Sequence, residues 1–283
     1  MLIAQVTDIH LGFDPDNPSE FNRKRLDQVL RHLTAMTPKP DLLILSGDLV
    51  DRGDKASYGR LRNALGGVSF PIKAIPGNHD SRENFIACFP ELPVEAGFIQ
   101  YESEHDSLRF LFLDTLEEGR HGGSFCANRA AWLKARLTEQ PDRPTVIVMH
   151  HPPVQVGIDW MDAHEEEPWI ARFEGAIAGA TQIKAILCGH LHRAISAAWN
   201  GTIVSVCPST APQVALTFGA IDPDVPDGRA MIIADPPGFA LHYWNGRDLV
   251  THFDDADEHV LLARYDATTQ PLIKSLLAEP LSR

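Results

Sequence analysis

The chain has little that would carry it into a membrane or onto a polyanion. None of its 283 residues falls in an apolar run of the ~20 residues a bilayer span needs. Its start shows no basic n-region, apolar h-region or cleavage site, so a cytoplasmic protein without membrane insertion is expected. Positive charge is scarce: 25 Lys and Arg stand against 38 Asp and Glu, for a net charge of -13. Such a surface repels long nucleic acid, although bound cations would reverse the field locally for one small anion. Cysteine is sparse as well. Cys88, Cys126, Cys188 and Cys207 are scattered with no C-x-x-C spacing, which reads as reduced, buried thiols, the alternative being a disulfide, within or between chains. Internal repeats, low-complexity segments and linkers are also missing.

What the chain does have is a series of apolar runs that end in polar clusters. Leu2 to Val6 leads to Asp8-Ile9-His10, Leu42 to Leu45 to Gly47-Asp48, and Ile72 to Ile75 to Gly77-Asn78-His79-Asp80. Val146 to Met149 leads to His150-His151, and Ile183 to Leu187 to Gly189-His190-Leu191-His192. In a parallel sheet the C-terminal strand ends share one edge, where open α/β sheets place their ligands, so the clusters are expected to converge. Gly77 is expected to turn the backbone sharply. If the segment after the strand stays extended, Asp8 and His10 point to one face, and His190 and His192 do the same.

Between these runs the pattern alternates. Ser19 reads as the N-cap of a helix reaching Met36, and further helices are expected over 55–65, 81–88 and 128–137. Phe98 to Glu102 and Leu108 to Asp114 read as antiparallel strands, and 157–179 as a loop and helix over the mouth of the site. Asn200-Gly201 and Asn245-Gly246 mark two hairpins. The sum is an α/β fold: a four-layer αββα sandwich of two mixed β-sheets flanked by helices. Residues 1–255 form the domain, and 256–283 a C-terminal tail whose apolar pieces suit packing or a homo-oligomer.

The series D-x-H, G-D, G-N-H-[DE], H and G-H-x-H, in that order, resembles the calcineurin-like metallophosphoesterases. It is most similar to the bacterial branch with class III cyclic nucleotide phosphodiesterases and glycerophosphodiesterases. The motifs run from Asp8 to His192, and the resemblance implies the same sandwich. Seven side chains are candidate ligands: Asp8, His10, Asp48, Asn78, His150, His190 and His192. They are too many for one ion, and mixed oxygen and imidazole donors suit Mn, Fe, Co or Zn. Asp48 is the natural bridge between two cations. The resemblance supplies the division, with Asp8, His10, Asp48 and His192 on one metal and Asp48, Asn78, His150 and His190 on the other.

Two ions about 3.5–4 Å apart acidify a bridging water and neutralise a phosphodiester together. The protein then needs a proton donor on the leaving side, and His79 is the candidate, matching the family's non-ligand histidine. Asp51 is expected to accept from that imidazole and fix its tautomer. The stretch from Gly47 to Gly53 also resembles the protein phosphatases, which implies a phosphate contact for Arg52; a solvated surface arginine is the competing reading. Asn78 and His79 would also touch substrate. His151 and Asp80 are read mainly as supporting residues, and His164, His242, His252 and His259 as surface or packing histidines. Trp160, Met161 and Trp169 are either pocket wall or core, and the Glu165 to Glu167 run is a solvated helix start. The expected activity is hydrolysis of small phosphodiesters by a metal-bridging hydroxide. The alternatives are a phosphomonoesterase, a nuclease and a metal-free binding scaffold.

Overall fold

The computed structural model describes residues 1–163 and 166–279, so the readings of His164 and Glu165 lie outside the described residues. The chain opens with strand and helix in alternation: β1 (Leu2–Val6), α1 (Phe21–Ala35), β2 (Leu42–Ser46), α2 (Lys55–Leu65), β3 (Ile72–Ile75) and α3 (Arg82–Cys88). β1, β2 and β3 pair in parallel, with Ile3 opposite Leu42 and Leu43 opposite Ile72. Next come β4 (Tyr101–His105), β5 (Leu108–Leu113), α4 (Ala127–Glu139), β6 (Thr145–Met149), α5 (Pro168–Ile177) and β7 (Ile183–Cys188). The last part comprises β8 (Ile195–Trp199), β9 (Thr202–Val206), the short pair β10 (Gln213–Val214) and β11 (Ile232–Ile233), the hairpin β12 (Gly238–Trp244) and β13 (Leu249–Asp255), and α6 (Gln270–Leu277).

Two mixed sheets result, in the orders β13-β12-β1-β2-β3 and β4-β5-β6-β7-β9-β8. β5, β6, β7 and β9 are parallel, while β4, β8, β12 and β13 run antiparallel to their neighbours. Strand periodicity divides the core. Phe110, Phe112, Val146, Val148, Ala185 and Leu187 join the first sheet, α1 and α2 in one apolar cluster. Leu111, Leu113, Ile147, Met149, Ile186 and Cys188 point the other way, onto α4 and α5. The helices thus cover the outer faces of two stacked sheets, as the expected αββα sandwich requires. All four cysteines are free thiols.

Local differences from the expectations have identifiable causes. Phe98 bridges to Glu95, and the Ile99 N–H donates to the Asp114 carboxylate, so β4 starts only at Tyr101. Glu20, not Ser19, holds the N-cap position of α1 and makes no side-chain cap. Its carboxylate turns back to accept from the N–H groups of Gly12 and Asp14. Asn200 and Gly201 both have positive φ, as a two-residue hairpin turn demands. The second hairpin instead closes Trp244 opposite Leu249 over a four-residue loop. α5 packs its Trp169 and Phe173 into the second apolar cluster beside Met161, with Trp160 against it, and Met161 and Trp169 also line a small cavity shared with His151 and His190. No residue of α6 is buried. Among the described residues, no helix is long and apolar enough to cross a membrane.

Candidate metal centre

The parallel strands deliver their polar clusters to one place, but not by staying extended. Asp8, His10, Asp48, His190 and His192 all have positive φ, between 49° and 72°. They are five of the eight non-glycine residues in that region among the described residues. Side chains visit this region at a cost, and such outliers gather where a site is over-determined by its surroundings. Here the backbone after β1 is locked by Asp8 N–H to Gly47 O (3.0 Å) and Ile9 and His10 N–H to Asp48 O (2.8 and 3.0 Å). The same-face expectation for Asp8 and His10 is therefore met by curled backbone, not by strand alternation. Gly77 differs from expectation too. Its role is close approach, since a Cβ there would overlap the Asp48 carboxylate and the His150 ring.

Asp8 and Asp48 are buried carboxylates at the bottom of the cluster. His150 Nε2 lies 3.2 Å from Asp48 Oδ2 and 3.9 Å from Asp8 Oδ1. His192 Nε2 is 3.4 Å from Asp8 Oδ1, and His10 Nε2 is 3.7 Å from Asp48 Oδ2. The Nε2 atoms of His10 and His192 stand 3.2 Å apart. Asn78 Oδ1 meets His190 Nδ1 at 3.1 Å. All seven candidate ligands are thereby brought together from segments more than a hundred residues apart in sequence.

The imidazoles are aimed from behind. Nδ1 of His150 is held by Ser46 O (2.8 Å), that of His192 by Pro212 O (2.9 Å), and that of His10 by Asp51 Oδ1 (3.3 Å). Oxygen acceptors on Nδ1 select the tautomer with its lone pair on Nε2, and all three Nε2 atoms face the carboxylates. His150 Nε2 is buried with no hydrogen-bond partner. An orphaned, fully buried nitrogen among two carboxylates and three further imidazoles is the donor set of a cation site, and the residues present fit two such ions.

The electrostatics agree with that fit. Burial, with the Asp48 charge adding to it, pushes the Asp8 carboxyl up to about 6 against the pull of His150. Burial also works to raise Asp48, yet the charge of His150, whose Nε2 stands 3.2 Å away, holds it well below the usual carboxylate range. His150 is lifted to about 9 because Asp48 and Asp8 outweigh the burial that would lower it. Burial and neighbouring imidazoles keep His190 and His151 well below the ordinary histidine value. The buried carboxylates thus favour positive charge at this place, and a cation bound there would compete with a proton on His150.

Around this centre stand the residues expected to act on substrate. His79 N–H donates to Asp48 Oδ1 (2.8 Å), and its Nδ1 faces the carbonyl of Asp51 (2.9 Å). The Asp51 carboxylate, expected to serve His79, is 3.9 Å from that nitrogen and is nearer to His10. The side chain of His79 is 37% exposed, so its Nε2 edge is open to a ligand. Arg52 reaches Asp51 at 3.5 Å, but its side chain is 61% exposed at the rim. Asp80 is fully committed to support: its carboxylate accepts from Gly77 N–H, Leu49 N–H and the Tyr58 hydroxyl. His151 is likewise engaged, with Thr115 and the His121 carbonyl. His242 is buried against Gln5 and Thr251, a packing role.

Sequence reasoning missed several supports. Asn22 on α1 donates to the His10 carbonyl (3.0 Å), and Arg25 donates to the carbonyls of Thr210, Ala211 and Asp235. That second contact secures the loop whose Pro212 orients His192. His121 packs its ring 4.7 Å from that of His190. None of the three follows a strand or belongs to a motif, so no local signal marks them.

The comparisons with known proteins agree with this geometry. Residues 1–194 match the family model for calcineurin-like phosphoesterases. A probable glycerophosphodiester phosphodiesterase, GpdQ, of Arcobacter nitrofigilis is 32% identical over 89% of this chain and 92% of its own length. A probable cyclic nucleotide phosphodiesterase of Rhodopseudomonas palustris is also 32% identical, over 85% of this chain and 87% of its own. Among solved structures, a dimetal phosphatase from Danio rerio shares the fold with a TM-score of 0.61 at 13% identity, covering 91% of this chain and 97% of that one. This chain belongs to the calcineurin-like phosphoesterase family.

Proposed function

We propose that the chain hydrolyses small phosphodiesters, cyclic nucleotides or glycerophosphodiesters, at two cations held by Asp8, His10, Asp48, Asn78, His150, His190 and His192. The observation that carries this reading is the convergence of three Nδ1-anchored imidazoles on two buried carboxylates. Asp8, His10, Asp48 and His192 make one set, and Asp48, Asn78, His150 and His190 the other. Mn, Fe, Zn and Co all suit these donors. When bound, the cations supply Lewis acidity toward the phosphoryl oxygens and toward water.

The chain's own residues do the rest. Asn78 and His79 follow β3, and from there the Asn78 amide and the His79 ring would contact the diester. As water oxygen bonds to phosphorus, one ester P–O bond breaks and its electron pair stays on the departing oxygen. His79 has Nδ1 spent on the Asp51 carbonyl, so Nε2 is the nitrogen left to hand that oxygen a proton. Asp51 holds the His10 ring, and Arg52 at the rim draws the anion in against a net charge of -13.

The test is direct. EDTA-treated protein should lose hydrolysis of bis(p-nitrophenyl) phosphate and regain it with Mn, and Asp48→Ala should bind no stoichiometric metal. Faster turnover of the monoester than of the diester, or full activity in stripped protein, would refute the proposal. The exposed apolar side chains of Val260, Leu262 and Leu277 support self-association through the tail, which sedimentation would measure. The cytoplasm is the proposed compartment, supported by four free thiols.

A further inference from the structure

A cavity of about 730 Å³ opens beside the candidate metal centre, with His10, His79 and His192 on one wall. Its other side comes from the loop before α1 and the first turn of that helix, together with β11, and sets apolar side chains among polar ones such as Asp14 and Glu20. Phe13 and Phe21 line it with their rings 68% and 55% exposed, and Ile232 faces it at 53%. Neither ring belongs to the apolar clusters that hold the fold.

These rings are exposed but placed. Phe13 sits between Gly12 and Asp14, whose N–H groups both donate to the buried Glu20 carboxylate, at 2.6 and 2.9 Å. Phe21 lies 5.3 Å from the Arg25 guanidinium, which three backbone carbonyls fix in turn. A helix cap has thus been given up to set Phe13, since the carboxylate at the N-cap position of α1 serves the loop instead. Two exposed aromatic rings, one carried on a hydrogen-bonded loop and one beside a fixed guanidinium, within a cavity of the ~300–1,000 Å³ typical for drug-sized ligands, suit a large planar group. A glycerol unit would present hydroxyls to carbon and leave most of that volume to water. Asn17 and Lys24 line the same cavity and offer donors to the edge of a heteroaromatic ring.

Building on the phosphodiesterase reading, we propose that Phe13 and Phe21 are specificity-determining residues. They select diesters in which an ester group carries a planar aromatic ring system of nucleoside size over diesters carrying only a polyol.

The test compares kcat/KM for 3′,5′-cyclic AMP and for glycerophosphoethanolamine in the metal-loaded protein. Wild type should prefer the cyclic nucleotide. Stacking of a base on an aromatic side chain changes binding by about 5- to 150-fold, so Phe13→Ala with Phe21→Ala should lower the ratio of the two kcat/KM values at least about 10-fold, through KM. Phe13→Leu with Phe21→Leu keeps apolar bulk without the ring face and should lower the ratio as well. Both rings are exposed, and thermal melting establishes that the variants are folded. A ratio unchanged in both double variants, or a wild-type preference for the polyol diester, would overturn the inference. So would a dimer that dissolves in the variants while the ratio holds, because the rings would then cover a second copy. Failure to cleave even bis(p-nitrophenyl) phosphate would instead strike the phosphodiesterase reading itself.

Discussion

Replacing Arg25 by Met would separate the stability of the fold from the aim of one metal ligand. The guanidinium donates to Thr210 O at 2.6 Å, Ala211 O at 3.2 Å and Asp235 O at 2.7 Å, tying α1 to the segment 210–235. Hydrogen bonds from a charged group contribute about 1.5–3 kcal/mol each. Those contributions are not additive and methionine keeps most of the apolar stem, so the net loss should be about 3–5 kcal/mol, the range for breaking a buried charged network. The loop so released carries Pro212, whose carbonyl orients His192 through Nδ1. Removing the outer support of a ligand typically weakens metal binding 10- to 100-fold, roughly. Equilibrium dialysis against Mn, with metal analysis of the protein, should therefore show one ion retained near wild-type affinity and the other weakened. Chemical denaturation gives the stability loss independently. Arg25→Met protein that is destabilised yet binds both ions with unchanged affinity would refute the link from α1 to His192.

His79→Ala should keep both metals, because its ring packs edge-on against that of His10 but makes no hydrogen bond to a candidate ligand, and should slow diester turnover about 10²- to 10⁴-fold; loss of metal would mean that the role assigned to His79 is wrong. Burial, with the Asp48 charge adding to it, pushes the Asp80 carboxyl up to about 6 from 3.8. A carboxyl raised on folding contributes stability that is complete below its unfolded value and is lost as pH rises through its folded one. In metal-free protein, the advantage of wild type over Asp80→Asn should therefore shrink by up to about 3 kcal/mol between about pH 4 and pH 7. Urea unfolding across that window measures it, and a constant gap would contradict the shift.

The four-layer architecture and the location of the site followed from local pattern. Short apolar runs leading into Asp, Asn or His report both a strand and the group it delivers. Parallel pairing of β1, β2 and β3, and of β5, β6 and β7, then leaves one edge for those groups to share. Donor types belong to single residues, so the choice of seven candidate ligands needed no coordinates.

What tertiary structure alone decided is how those donors are aimed. The left-handed backbone at Asp8, His10 and Asp48, a conformation Asp and His tolerate better than most residues, is held by bonds between neighbouring strand ends that no local pattern reveals. The Asp51 carboxylate lies nearer His10 than His79, whose Nδ1 faces the backbone carbonyl of Asp51 instead. Arg25 and Thr210 meet across 185 positions, and Glu20 leaves its cap for a loop eight residues back. A side chain's type is written where it occurs; its partners depend on which distant segments folding sets beside it, and no local pattern carries that information.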